Sequence, residues 1–237
     1  MIAIIGSLVV VIYKHEKNKP LADLNRRIRE ISPRGSTPQT IDGLKEAIAL
    51  YEAQIELNVK VGAQTGVYWK ILAIRLADKG MHQDALAALE RAIYYNAEEA
   101  LLFYRTGESA SVVAASSVGF STDPGKGREY YYKLSENAYL RAIQLDPLYA
   151  RPMLGLGILY TFDLNRPAEA VPYLERYQGL MQNDINGMFV LARAYFMTEQ
   201  FDRAIELYDQ IITRTKSPKV KDEAQNNKEF IRNLIYG

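Results

Sequence analysis

Two short stretches have residue types and spacings that could bind phosphate or form a nucleophile. Gly119 to Lys126 is similar to a phosphate-binding loop, but it carries five residues between its glycines where that loop allows four. Gly127 then replaces the Ser or Thr that would hold magnesium. Gly107 to Ser111 is similar to a nucleophile elbow but lacks the final glycine. Since no acid, base and nucleophile converge by spacing, we predict that the protein is not an enzyme.

Metal, cofactor and nucleic-acid binding are also disfavoured by composition. The 237 residues include no Cys, and the two histidines, His15 and His82, are far apart in the sequence. Zinc sites need several such ligands close together. The net charge of +1 argues against a polyanionic partner. We predict no metal, no cofactor and no nucleic-acid partner.

An uncharged apolar run extends from Ile2 to Tyr13. As a helix it would rise about 18 Å, short of a full membrane span of roughly 30 Å. No small-residue cleavage site follows it and no basic region precedes it, so an uncleaved signal anchor is favoured over a signal peptide, and the start of the chain is expected to lie further upstream. A buried core segment is the alternative.

Two features of the sequence favour opposite sides of the membrane for the body of the protein. Lysines and arginines outnumber acidic residues between Lys14 and Arg34, which by the positive-inside rule places the body in the cytoplasm. A soluble body behind an N-terminal anchor favours export instead. We predict attachment to the cytoplasmic membrane and slightly favour the periplasmic side.

The body of the sequence repeats an arrangement of large and small residues. The first positions of four units are Trp69, Phe103, Met153 and Met188. The steps between them are 34, 50 and 35 residues, so all three equal 34 once an insertion of 16 and a single extra residue are removed. In each unit a small residue stands four positions later, and an alanine recurs early in the second half of three units. These positions are Ala73, Gly107, Gly157 and Ala192, then Ala85, Ala170 and Ala204.

This pattern resembles the tetratricopeptide-repeat (TPR) family over about residues 65–217. The resemblance implies an all-α fold, an α-solenoid of TPR helix pairs in a right-handed superhelix, here preceded by an N-terminal membrane-anchor helix. The first set of small residues matches the eighth position of the family's repeat, and it is expected to let the two helices of a pair approach closely. Because one pair cannot bury its own apolar face, neighbouring pairs must stack.

The flanking segments complete the domain plan. Residues 1–20 form the anchor and its basic flank, and residues 21–60 an atypical helix pair whose second helix is expected to end near Asn58. Four TPR units fill 65–217, and a capping helix covers 218–237. The apolar face of the second helix carries four regularly spaced residues: Leu44, Ile48, Tyr51 and Ile55.

The insertion lies at 112–128, between the two helices of the second unit. Its turn-forming residues predict a loop from Ser121 to Gly127. Because stacking does not require it, the loop could take part in binding, with a tolerated insertion as the alternative. We single out Phe120, Asp123 and Lys126.

In TPR proteins the first helices of the units line a concave groove. By resemblance, this groove displays a mainly apolar and aromatic set of side chains suited to an extended peptide or an amphipathic helix. Contact with the chain's own flanking helices is the alternative for the apolar ones. The predicted groove residues are Lys70, Ile74, Tyr104, Arg105, Glu108, Leu154, Ile158, Phe162, Phe189, Arg193 and Phe196.

The sequence therefore predicts a membrane-anchored TPR adaptor that mediates protein–protein interaction during assembly of a bacterial envelope complex of the secretion, envelope-assembly or flagellar-motor type. Its partners would be other proteins of that membrane complex, and self-association stays open. The alternative is a small-molecule or lipid-binding TPR protein that uses the groove and the 112–128 loop.

Overall fold

The computed structural model describes residues 22–31, 38, 40–116 and 127–237, and within these ranges every regular element is a helix. The all-α fold class is confirmed. None of the described helices is both long enough and apolar enough to cross a membrane. The predicted anchor, residues 2–13, and the predicted loop residues Phe120, Asp123 and Lys126 lie outside the described residues.

The chain divides into two compact units, Met1–Thr65 and Gly66–Gly237. The described helices are α1 (22–31), α2 (Ile41–Asp78), α3 (His82–Tyr95), α4 (Ala100–Ser116), α5 (Arg128–Leu145), α6 (Ala150–Ile158, continued by a π-helical turn, Leu159–Asp163), α7 (Pro167–Leu180), α8 (Ile185–Met197), α9 (Phe201–Arg214) and α10 (Pro218–Tyr236).

Helix α2 does not end near Asn58, so that sequence prediction is wrong. The segment that follows contains no proline, and its side chains support the helix instead of capping it. Lys60 pairs with Glu56 one turn earlier, with Nζ and Oε1 2.7 Å apart. The Thr65 hydroxyl donates to the Val61 carbonyl at 2.8 Å. Gly62 and Gly66, at about 1 kcal/mol each, cost too little to stop the helix.

Within the first compact unit, α1 lies against one face of α2. The Gln54 amide donates to Asn25 of α1 at 2.9 Å, and Arg27 of α1 lies 3.8 Å from Glu46. Ala47 and Leu50 are buried. The apolar residues that the sequence placed on one face of this helix, Leu44 to Ile55, lie on a different face and are exposed.

The second compact unit consists of stacked antiparallel helix pairs. The last turns of α2 pair with α3, α4 pairs with α5, α6 with α7 and α8 with α9, and α10 packs on α9 at the end. The turn from α2 to α3 is made by Gly80, whose φ of 75° lies in the left-handed region that glycine adopts without strain.

Small residues at the eighth position of the repeat bring paired helices together, as the sequence predicted. A Cβ atom on Gly107 would stand 2.5 Å from the Tyr139 ring of α5, and one on Gly157 would stand 2.3 Å from Leu174 of α7. The corresponding Ala73 and Ala192 are buried. The side chain of the second helix therefore occupies the space that a larger residue on the first would need.

A tyrosine–glutamate–arginine cluster joins consecutive units at two places. Tyr195 of α8 donates its hydroxyl to Glu175 of α7 at 2.8 Å, and Arg203 of α9 contacts the same carboxylate at 2.6 Å. The Arg203 guanidinium also lies 4.2 Å from the centre of the Tyr195 ring. Burial, and then the bond to Glu175, raise the pKa of Tyr195 well above its usual range.

The same cluster recurs one unit earlier. Tyr160 donates to Glu136 of α5 at 2.8 Å, and Arg166 lies 3.0 Å from that carboxylate and 4.7 Å from the centre of the Tyr160 ring. In both cases one carboxylate accepts a hydrogen bond from a phenol and pairs with a guanidinium. Its charge is therefore compensated where two units meet. The clusters thus add directional contacts to the apolar stacking of units.

Replacing Gly157 by Ala tests the close approach of α6 and α7. The new methyl group meets the buried Leu174 side chain, and we expect a loss of about 1–3 kcal/mol of unfolding free energy despite the better helix propensity of Ala. Gly179→Ala in α7 is the control, because nothing lies within 4 Å of its added Cβ. It should be neutral or stabilising by up to about 1 kcal/mol. Urea unfolding of both variants is the measurement, and equal stability would contradict the packing argument.

Tyr195→Phe removes the tyrosine hydroxyl from the inter-unit cluster. We expect it to lower the free energy of unfolding by about 1–3 kcal/mol, because this hydroxyl bonds to a charged partner. Since the folded pKa exceeds the unfolded value of about 10, this tyrosine contributes stability that is present below pH ~10 and lost as pH rises further. The alkaline loss of stability should therefore be smaller in Tyr195→Phe than in the unsubstituted protein. Tyr68→Phe, at an exposed position, is the control and should change neither quantity.

Candidate functional site

An open depression of about 500 Å³ lies between the first helices of the second and third units, α4 and α6. Its walls are mostly apolar, and both charged and hydroxyl groups reach it. The lining residues are Tyr104, Glu108, Ser111, Val112, Tyr139, Arg151, Leu154, Gly155, Ile158, Leu159, Asp163 and Tyr177.

The side chain of Tyr139, which comes from α5, lies between the two first helices. A Cβ on Gly155 of α6 would stand 2.6 Å from its ring, and Gly107 of α4 leaves a similar space on the other side. The ring is buried, and its burial raises the pKa of the phenol well above the usual range. The phenol therefore stays neutral at physiological pH, and the two glycines let it reach between α4 and α6.

The polar groups on the α4 side of the depression are bonded to one another. The Tyr104 hydroxyl donates to one oxygen of Glu108, and Arg105 contacts the other at 3.0 Å. Burial, and then the bond to Glu108, raise the pKa of Tyr104 well above its usual range. Tyr104 remains a donor, and Arg105 compensates the charge of Glu108, so this wall is held in place without a strong net charge.

Opposite charges stand at the two ends of the α6 side. Arg151, in the first turn, is exposed and forms no ion pair with another described residue. Asp163, at the other end, accepts a 3.3 Å hydrogen bond from Tyr132. The two positions are twelve residues apart along the helix, which corresponds to about 18 Å at the α-helical rise per residue.

The far end of α6 is a π-helical turn, Leu159–Asp163. It is closed by a bond of 2.9 Å from the Leu164 amide to the Leu159 carbonyl. The wider turn rotates the residues in it relative to an α-helix. Phe162 is 55% exposed here and Asp163 lines the depression.

The structure brings four of the predicted groove residues together: Tyr104, Glu108, Leu154 and Ile158 all line the depression. Arg105 contacts Glu108 from beside it. Leu154 is half-buried, and Ile158 is partly exposed at 39%. Apart from the buried Tyr104, these residues therefore form a surface that stacking of the units leaves open.

Most of the remaining predicted groove residues lie elsewhere and already have contacts within the chain. Lys70 pairs with Glu99 at 2.7 Å, and Ile74 is half-buried. Phe189 packs on Tyr208 with ring centres 6.0 Å apart. The alternative considered for the apolar groove residues, contact with the chain's own flanking helices, applies most directly to Phe196 of α8.

That residue, Phe196, lies 5.9 Å from both Phe201 of α9 and Phe230 of α10, measured between ring centres. The guanidinium of Arg193 lies 5.3 Å from the centre of the same ring. The capping helix thus covers part of the groove face of the fourth unit. Contact of Phe196 with a partner stays a prediction.

Sequence reasoning did not assign Ser111, Val112, Tyr139 or Asp163 to the groove, although Val112 begins the 112–128 insertion. Val112 lies one turn beyond Glu108 on α4, so extending the groove face past the start of the predicted insertion would have found it. Asp163 is placed by the π-helical turn, and Tyr139 reaches the site from the second helix of its unit. The expectation that the first helices of the units line the groove does not indicate either residue.

Nothing in the described ranges suggests metal chemistry at this site. Among residues 22–31, 40–116 and 127–237, no three His, Asp or Glu side chains are grouped so that they could hold a metal ion. The depression offers hydrogen-bonding groups and apolar contact area, which suit recognition of a ligand by shape and charge.

By sequence, the chain matches no protein-family model and no curated protein. Its fold is nevertheless shared with solved structures. MamA (residues 41 to the end) from Desulfovibrio magneticus RS-1 superposes with a TM-score of 0.53 at 14% identity, covering 72% of this chain and 94% of that one. TTC0263, a TPR protein of Thermus thermophilus, gives 0.54 at 17% identity, with 86% and 97% covered.

A third similar structure is YrrB, described as a TPR protein with an unusual peptide-binding site. It superposes with a TM-score of 0.52 at 18% identity and covers 68% of this chain and 76% of that one. At these identities the likeness concerns the fold. Together with the helix pairs and their small-residue contacts, it shows that this chain has the tetratricopeptide-repeat fold.

Proposed function

We propose that the protein is a membrane-anchored TPR adaptor that binds a segment of another protein in the depression between α4 and α6. The observation that carries this proposal is the exposed apolar surface of that depression. Val112 is 45% exposed and Ile158 39% exposed, although neighbouring side chains of the same helices are fully buried. The peptide-binding site named for the similar YrrB structure supports the same use of this fold.

The shape and charge of the depression indicate the chemistry of the partner segment. Apolar side chains would occupy the middle, against Leu154 and Ile158, and an acidic group would lie near Arg151. A basic group would lie near Asp163, about 18 Å further along α6. An extended segment of five to six residues, roughly 3.3 Å each, has this length.

Membrane attachment is the second part of the proposal. The apolar run of residues 2–13 supports an anchor in the cytoplasmic membrane. The basic residues after it favour a cytoplasmic body by the positive-inside rule, whereas a soluble body behind an N-terminal anchor favours export, and we propose the periplasmic side. An anchor confines the repeats to the membrane surface and raises their effective concentration for other membrane proteins. This supports a role in assembly of a bacterial envelope complex, such as a secretion, envelope-assembly or flagellar-motor complex.

Ile158→Asp tests the depression. We expect it to weaken partner binding roughly tenfold or more, because a charge replaces an apolar contact at the centre of the surface. The matched control is Leu148→Asp, an exposed leucine 75% accessible in the α5–α6 turn and outside the depression. The measurement is the ratio of co-purified protein to bait from detergent-solubilised membranes, after thermal unfolding has shown that both variants fold.

A stoichiometric partner that is lost in Ile158→Asp and kept in Leu148→Asp agrees with the proposal. Equal retention in both variants would remove the depression from the binding surface. A bound lipid without any stoichiometric protein would favour the lipid-binding alternative instead.

Charges placed within the apolar run test the anchor. Leu8→Arg combined with Val10→Arg should move the protein from the membrane to the soluble fraction, since each buried charge costs about 2.5–3.5 kcal/mol on insertion. Leu8→Ile with Val10→Leu is the apolar control and should stay with membranes after a carbonate wash. Membrane retention of the arginine variant would contradict the anchor. Protease added from either face of sealed vesicles reports the side on which the body lies.

A further inference from the structure

Helix α2 carries an apolar stripe on its solvent face within the first compact unit. The stripe consists of Ile41, Leu44, Ile48, Tyr51 and Ile55. Ile48 is 56% exposed, Tyr51 46% and Ile55 63%. Helix α1 lies on another face of α2. The exposure of the stripe residues shows that no other described element covers them. A contiguous exposed apolar surface of this kind indicates an interaction site.

The spacing of the stripe is that of a coiled coil. Its successive steps are three, four, three and four residues, an average of 3.5, whereas an isolated amphipathic helix follows 3.6. In heptad terms, isoleucines stand at the a positions, with Leu44 and Tyr51 at the d positions. Side chains of a second helix with the same repeat would fit between them as knobs into holes.

We propose that this stripe pairs with the same stripe of a second copy of the chain, as an antiparallel two-helix seam. Antiparallel pairing sets a positions against d positions of the partner. With Ile48 against Tyr51 of the partner, Leu44 lies against Ile55 of the partner, and the two-fold symmetry repeats both layers. This register buries four layers of large apolar side chains in a self-complementary, closed interface.

Charges beside the stripe select this orientation and register. Lys45 and Glu52 both occupy the e position, and in antiparallel pairs e positions face each other. In the proposed register Lys45 faces Glu52 of the partner, twice by symmetry. A shift by one heptad sets Lys45 against Lys45 in one direction and Glu52 against Glu52 in the other, which is unfavourable.

A parallel pair gives these charges no partner, because it sets Lys45 near Thr40 and Glu52 near Ala47. Within the chain, Lys45 forms only a weak ion pair. Lys45 lies 3.9 Å from Asp42, but the side chains are 74% and 97% exposed, where such pairs contribute little. Both charges are therefore available to a second copy.

Charge reversal tests the pairing. The full chain should self-associate, and Lys45→Glu or Glu52→Lys alone should raise the dissociation constant about tenfold, because two attractions become two repulsions. The double variant restores both pairs with their signs exchanged and should regain the original affinity. Light scattering across a concentration series measures all four proteins. A monomer at every concentration, or a double variant no better than the single ones, would overturn the proposal.

Disulfide trapping tests the orientation in a chain that has no cysteine of its own. Ile48→Cys and Tyr51→Cys chains, mixed and oxidised, should form cross-linked heterodimers, whereas each variant alone should cross-link poorly. Efficient cross-linking of Ile48→Cys with itself would show a parallel pair and overturn the antiparallel arrangement.

An apolar-to-charged substitution tests the stripe itself. Ile48→Asp should abolish self-association, and Ala49→Asp is the matched control because it puts the same residue on an exposed part of α2 away from the stripe. Loss of self-association in both variants, or in neither, would contradict the assignment of this face.

Discussion

The close approach of paired helices at small residues is the constraint on which the rest of the structure depends. Gly107 and Gly157 leave room for side chains of the second helices, and neither site tolerates a Cβ without movement of its neighbour. Each helix pair is therefore thin, and its apolar faces can be buried only against the next pair. The depression between α4 and α6 lies where two of these thin pairs stack.

The candidate site is a direct result of this packing. Tyr139 reaches between α4 and α6 because Gly107 and Gly155 leave space on both sides of its ring. The buried phenol closes the bottom of the depression, while Val112 and Ile158 remain open to solvent. The same glycines thus serve both the stability of the stack and the shape of its binding surface. A substitution that fills them would alter both at once.

The sequence predicted the helix pairs well because their packing depends on residue size at a fixed spacing, which a single chain displays directly. It did not predict that α2 continues past Asn58, since this depends on the absence of a strong stop signal. It did not predict the π-helical turn at Leu159–Asp163, because the single extra residue between Met153 and Met188 does not show in which turn or loop of the unit it lies. Contacts such as Phe196 with Phe230 depend on tertiary packing between distant segments.

A single shallow depression that buries a short segment supports only modest affinity, because association must first offset the loss of translational and rotational freedom. Pairing through the α2 stripe would give an assembly two such depressions, and an anchor would restrict both to the membrane surface. Linked sites of this kind gain affinity through effective concentration without any new contact. The exposed stripe, the open depression and the apolar run of residues 2–13 therefore fit one physical scheme, in which weak individual contacts are combined at a membrane.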